Sequence, residues 1–276
     1  MTKAEEIVEE AGEMTFWEHL EILRWSIFHI VCIMAVVTVG TFIAMPYIFD
    51  DFILAPTSSN FFVYQFINKI GMGVLHFDDG FKVDIININV ASQFMTHIST
   101  SLQLAAVITF PAIVYELWKY IRPALFDNEI RHLRWAFLGG TIMFFIGCAI
   151  GYLLVFPFTF RFLTEYELSS SIENQINLQS YIDNFTMMIL VMGIVFEMPL
   201  LAWLLSQLGI LRKSFLRDYR RHAIVVLMVT AAIITPSGDP FTLMLVFIPL
   251  YLLYELSILV VKEDGRREED DDEDDE

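Results

Sequence analysis

Four stretches of this chain, residues 26–49, 91–115, 135–160 and 185–211, stay apolar for 24 to 27 residues each, with Glu197 their single charge. Crossing about 30 Å of hydrocarbon takes roughly 20 apolar residues at about 1.5 Å of rise apiece. All four are long enough. A shorter run at 222–236 and another at 241–261, with Glu255 near its end, flank the turn-rich segment Thr235-Pro-Ser-Gly-Asp-Pro240, which reads as a hairpin between antiparallel helices. Backbone groups in lipid must be satisfied within the segment, which favours helices. The expected fold is therefore an all-α integral membrane protein with about six transmembrane helices.

Composition agrees once the tail is set apart. Charged residues are 18% of the chain, below the roughly 25% of a soluble domain. About half of the net charge of -17 sits in residues 263–276, where eleven acids face only Arg266 and Arg267. A run of like charges repels itself, so residues 262–276 read as a disordered acidic tail. Residues 1–25 carry seven glutamates with only Lys3 and Arg24 as basic groups, unlike the basic start of a secretory signal. They read as a cytoplasmic amphipathic N-terminus, and the first span is expected to stay attached. Cys32 and Cys148 lie in apolar runs as small hydrophobes, with no disulfide framework.

Cytoplasmic loops retain Lys and Arg. With the first helix starting inside, the inner segments hold 14 basic residues and the outer ones only Lys69, Lys82 and Arg161. The reading is N-in and C-in. The first outer segment, about residues 50–90, is too long for a simple connector. Phe61–Ile70 has helical apolar spacing, Phe81–Val90 alternates like an extended stretch, and Asp78-Asp-Gly80 marks a turn. These pieces form either a cap on the membrane or a solvated loop. Pro111, Pro157, Pro199 and Pro249 fall inside spans, where they kink helices or free carbonyls, so a curved bundle is expected. At 14 to 16 residues the fifth span is several Å short, so either the bilayer thins there or the hairpin sits off centre.

The polar residues, taken in order, resemble those of the TatC family, the multispanning subunit of the twin-arginine (Sec-independent) protein translocase. The likeness runs from about Phe16 to Val261. Its most specific piece is Arg122-Pro-Ala-Leu-Phe-Asp-Asn-Glu-Ile-Arg131, similar to the family's P-A-L-[FY]-x-x-E pattern. His19-Leu20 with Arg24, Ala55-Pro56, Phe156-Pro157, Phe196-Glu-Met-Pro199, Thr235-Pro236 and Asp239-Pro-Phe241 complete it. The chain departs from the family before the first span. The pattern F-x-x-H-L-x-E-L-R-x-R meets Ile22 at its second acid and Ser26 at its second base.

The resemblance implies recognition of export signals bearing two adjacent arginines. Glu129 is the leading candidate, because a planar, permanently charged guanidinium accepts a bidentate carboxylate. Its other reading is a surface acid paired with Arg131 or His132. Glu18, one turn before Ile22, and Glu21, closer to it in depth, are the two stand-ins for the missing glutamate. His19, Arg24, Tyr120 and Pro123 complete the implied signal-binding set.

Glu197, Asp239 and Pro56 form a second set, implied to meet partner subunits or to line an intramembrane polar site. A charge inside a span costs at least about 2.5 to 3.5 kcal/mol on insertion scales, so Glu197 is expected to face protein or water. Three roles are open to it: contact with polar groups of a partner, a protonated acid satisfied by a neighbour, or a proton pathway. Asp239 is read first as a turn former. His97 is read as a satisfied polar contact.

No nucleotide-binding loop, metal-ligand cluster or nucleophile arrangement stands out, so neither an enzyme nor a cofactor is expected. The implied partners are single-span TatA/TatB-type subunits, twin-arginine signal peptides and membrane lipids, with no nucleic acid, in an oligomeric receptor complex of a bacterial-type inner membrane. The alternatives are a secondary transporter or proton-coupled channel for small solutes, with Glu197 titrating, and a scaffold without a transport role.

Overall fold

The computed structural model describes residues 16–70, 80–121, 127–169, 171, 174–207, 209–235 and 238–261. The N-terminal 15 residues, Asp78-Asp79, Pro123, Pro236 and the acidic tail lie outside the described residues. Five helical segments are long and apolar enough to cross a membrane: Leu20–Thr57, Ser92–Tyr120, Phe137–Glu165, Leu178–Gln207 and Pro240–Val260.

Helix α1 is Phe16–Ile48, running on through a π-helical turn at Phe49–Ile53 and a 3₁₀ turn at Ala55–Thr57. Then come α2 (Phe62–Ile70), β1 (Ile85–Ile86) and α3 (Ser92–Ile121). Next are α4 (Asp127–Ile150), a π-helical turn at Gly151–Val155, α5 (Phe156–Glu165) and β2 (Ile176–Asn177). The chain ends with α6 (Leu178–Val195), α7 (Met198–Gln207), α8 (Lys213–Asp218), α9 (Arg220–Ile234) and α10 (Pro240–Val260). The short fifth apolar run is α9, whose 15 residues rise about 22 Å.

The chain divides into two compact units, residues 1–48 with 97–141, and residues 49–96 with 142–276. In the first, α1 and α3 are joined by polar groups that reach across the helices. Thr41 Oγ1 donates to the Ser101 carbonyl at 2.8 Å. His97 donates from Nε2 to the Phe42 carbonyl at 2.8 Å and stacks on the Phe42 ring at 3.9 Å, so it is a satisfied polar contact.

In the second unit a small core forms around Phe61, Val63 and Tyr64, with Ala55, Phe81 and Tyr152 packed against it. Two features here go beyond the sequence reading, the first of them inside the stretch Phe81–Val90 that reads as extended. Ile85–Ile86 pairs in parallel with Ile176–Asn177, a ladder two residues long. Arg161, counted as an outer-loop base, is buried, its guanidinium 5.3 Å from the Tyr64 ring centroid and 4.6 Å from that of Phe81, with Nε 2.6 Å from Glu165 Oε1. The flat guanidinium stacks where an ammonium would need water, which is why a basic residue tolerates burial. Burial also pushes the Tyr64 phenol upward, so its hydroxyl stays a donor.

Three tyrosines donate to backbone carbonyls in or beside the irregular turns. Tyr64 donates to Pro157 O at 3.1 Å and Pro56 O at 3.3 Å, Tyr152 to Phe52 O at 2.9 Å, and Tyr181 to Ile53 O at 2.5 Å. The π turn at residues 49–53 breaks the regular ladder, and each buried carbonyl then needs another donor. Tyr181→Phe strands the Ile53 carbonyl, where Ile53 is itself buried. The expected loss is about 1 to 3 kcal/mol, read as a lowered thermal midpoint in mild detergent; an unchanged midpoint would show that the bond contributes nothing.

Candidate functional site

The Arg24 end of the first unit holds the described part of the implied signal-binding set. Arg24 Nη2 lies 3.3 Å from Glu21 Oε1, with both side chains more than half exposed, so the pair is weak and free to exchange partners. The Arg24 guanidinium sits 5.9 Å from the Trp25 ring centroid. Glu18, His19 and Glu129 lie on helical backbone, and their side chains fall outside the described residues. Tyr120 is half-buried in the last turn of α3.

Deeper along the same helices is a pair that hydropathy reading missed. Glu116 is 7% exposed, with Oε1 3.6 Å from His29 Nδ1 and Oε2 buried without a hydrogen-bond partner. Glu116 is thus a buried acid four residues from the end of its span at Tyr120, while Glu197 lies in the middle of its own. The apolar run in the sequence stops at Tyr115, so the next residue reads as a boundary charge, whereas α3 continues to Ile121. The available signal was the lone His29 in the apolar stretch of α1, a polar group in need of a partner.

Glu197 occupies the break between α6 and α7. Pro199 has no N–H and its ring crowds the carbonyl four residues back, so the helix is interrupted at Phe196-Glu197. The backbone recovers through Glu197 N to Ile194 O at 3.1 Å and Leu201 N to Glu197 O at 2.9 Å. Glu197 Oε1 is buried without a hydrogen-bond partner, and the residue as a whole is half-buried. It is an acceptor waiting for a donor.

Asp239 has a local task. Gly238, at φ +59°, turns the chain in a conformation that favours glycine, and Asp239 then caps α10, its Oδ1 accepting from Thr242 N at 2.8 Å and Oδ2 from Thr242 Oγ1 at 2.5 Å. Pro56 is buried and offers its carbonyl to Tyr64. Glu197, Asp239 and Pro56 thus serve three different local structures.

A family model described as Sec-independent protein translocase protein (TatC) matches residues 18–249. The chain belongs to the TatC family. That is a protein-transport family, not an enzyme family, and its members are multi-pass membrane proteins. A TatC from Blattabacterium sp. subsp. Periplaneta americana is 34% identical over 256 residues, covering 91% of this chain and 96% of the relative. A TatC from Helicobacter pylori (strain 26695) is 36% identical over 184 residues, covering 67% of this chain and 72% of the relative. Among solved structures, a crystal structure of a twin-arginine translocase receptor TatC superposes with a TM-score of 0.69 at 28% identity, covering 88% of this chain and 97% of that one. Within the TatC match fall Arg24, Tyr120, Glu129, Glu197 and Asp239, along with the newly found Glu116.

Proposed function

We propose that this chain is the signal-recognising core of a twin-arginine translocase, exporting folded proteins across a bacterial-type inner membrane at the expense of the proton gradient. Membership of the TatC family over residues 18–249 carries the reading. Six spans with both termini inside place the Arg122–Arg131 segment, the Arg24 end of α1 and the acidic tail on the cytoplasmic face. Glu129 holds one guanidinium of the signal, and Glu18 or Glu21 makes the first contact with the other, flanked by His19, Arg24, Tyr120 and Pro123. Glu197 offers its open acceptor to a polar group of a single-span TatA/TatB-type subunit within an oligomeric receptor complex, and Asp239 and Pro56 shape that side by capping and turning the chain. Solute transport is set aside by family membership and not by the number of intramembrane acids, which Glu116 raises.

The test is a fluorescent signal peptide titrated into the full chain in lipid nanodiscs. The peptide with two adjacent arginines is expected to bind about 10- to 100-fold tighter than its double-lysine counterpart, because lysine keeps the charge and loses the fork. Equal affinities would remove the assignment.

A further inference from the structure

We propose that Glu116 is the inner carboxylate of the guanidinium site, taking the second arginine of a signal once the peptide's apolar stretch has entered the bilayer. This rests on the reading of the chain as a twin-arginine receptor and names a residue that the family resemblance did not supply. His29 touching Glu116 fixes which faces of α1 and α3 meet. On α1 that face carries Ile22, Ser26 and His29, spaced i, i+4 and i+7 within an arc of about 60°. On α3 it carries Glu116 and, one turn toward the helix end, Tyr120. Thr41 bonding to Ser101 keeps the antiparallel register farther along the same two helices. Glu116 therefore lies directly inward of a residue already in the candidate site, on the face that presents Ile22 where the family pattern has an acid.

Its state suits a ligand. The side chain is nine-tenths buried, and neither its Oε2 nor the buried Ser26 Oγ, one turn from His29, has a hydrogen-bond partner. His29 lies 3.6 Å from the other oxygen and is half-exposed, a loose contact that a guanidinium can displace or share. The depth is within reach. Glu116 stands three residues inside Lys119, about 4.5 Å along the axis, and a long arginine arm extends that far from the interface. Adjacent side chains of an extended peptide point to opposite sides, so two consecutive arginines span a surface carboxylate and a deeper one better than two at equal depth. Glu18 or Glu21 then makes the encounter, and Glu116 the lasting bond.

The experiment is a coupling cycle on the full chain in nanodiscs, using the two-arginine peptide and its two single Arg→Lys variants. In the unsubstituted chain either lysine is expected to weaken binding about 3- to 10-fold. In Glu116→Gln, the two-arginine peptide is expected to fall to the level of one single variant, and that same lysine substitution to cost nothing further. Undiminished penalties at both positions in Glu116→Gln overturn the proposal while leaving the receptor reading standing; failure of the unsubstituted chain to prefer arginine sinks that reading instead. Should Glu116→Gln not purify folded, Glu116→Asp replaces it, with the same penalty expected to shrink and an unshrunken one overturning the proposal.

Discussion

Cells carrying Glu129→Lys are expected to export a folded twin-arginine reporter at less than about 1% of the normal rate. A charge-assisted carboxylate–guanidinium contact contributes about 1.5 to 3 kcal/mol, and reversal does more than delete it, because an ammonium now opposes the passenger's own charge. At about 1.4 kcal/mol per tenfold, the combined change exceeds a factor of 100. Glu129→Asp keeps the charge and shortens the reach, so it is expected to export at an intermediate rate. The measurement is appearance of active reporter outside the inner membrane, with the amount of membrane-inserted chain checked by immunoblot. Near-normal export at normal chain level would show that Glu129 is only a surface acid beside Arg131 and His132.

Much of the fold could be read from hydropathy, and its failures share one cause. The apolar runs located the long helices, yet hydropathy reports where the solvent changes and not where the helix ends. The fourth run begins at Phe185, whereas α6 starts at Leu178 with Asn177 accepting from Gln179 N at 3.2 Å, and the polar first turns carry a Gln179–Asp183 bond of 2.9 Å. Likewise α4 begins at Asp127, eight residues before the apolar run at Trp135. The same blindness cut the second span at Tyr115 and left Glu116 outside it.

Helix α2 was legible because its apolar spacing is local: Phe61–Ile70 was read as helical and Phe62–Ile70 is a helix. The pairing of Ile85 with Ile176 was not, since it joins residues far apart in sequence and no periodicity records a partner. The burial of Arg161 was not legible for a related reason. A charge count assumes water around every base, and only the fold brings Tyr64 and Phe81 over its guanidinium. At the candidate site the loop motif named Glu129 directly, while Glu116 required knowing which side of α3 faces His29.

Gly147→Val is expected to cost about 3 kcal/mol or more of stability, seen as loss of folded chain extracted in mild detergent and a thermal midpoint lowered by several degrees. A Cβ at Gly147 would stand 2.6 Å from the Met192 carbonyl oxygen and 2.7 Å from Phe196 Cβ, and one at Gly193 would stand 2.6 Å from Cys148 Sγ. At Gly151 the Ile189 Cα is 3.0 Å from the same imagined atom. Three glycines thus let α4 and its π-helical continuation press against α6 almost backbone to backbone. Lipid supplies no hydrophobic drive for helices to associate, so close van der Waals approach is what holds such a crossing. A carbonyl oxygen cannot rotate aside as a side chain does, which makes position 147 the least forgiving of the three. Gly139 has nothing within 4 Å of its imagined Cβ, and Gly139→Ala is expected to leave the midpoint unchanged or slightly raised through helix propensity. The damage from Gly147→Val also reaches Glu197, because Phe196, the residue pushed, is the one that begins the break between α6 and α7. Export is therefore expected to fall even in the fraction that stays folded. A Gly147→Val chain that melts and exports like the unsubstituted one would mean that the crossing is looser than these distances state.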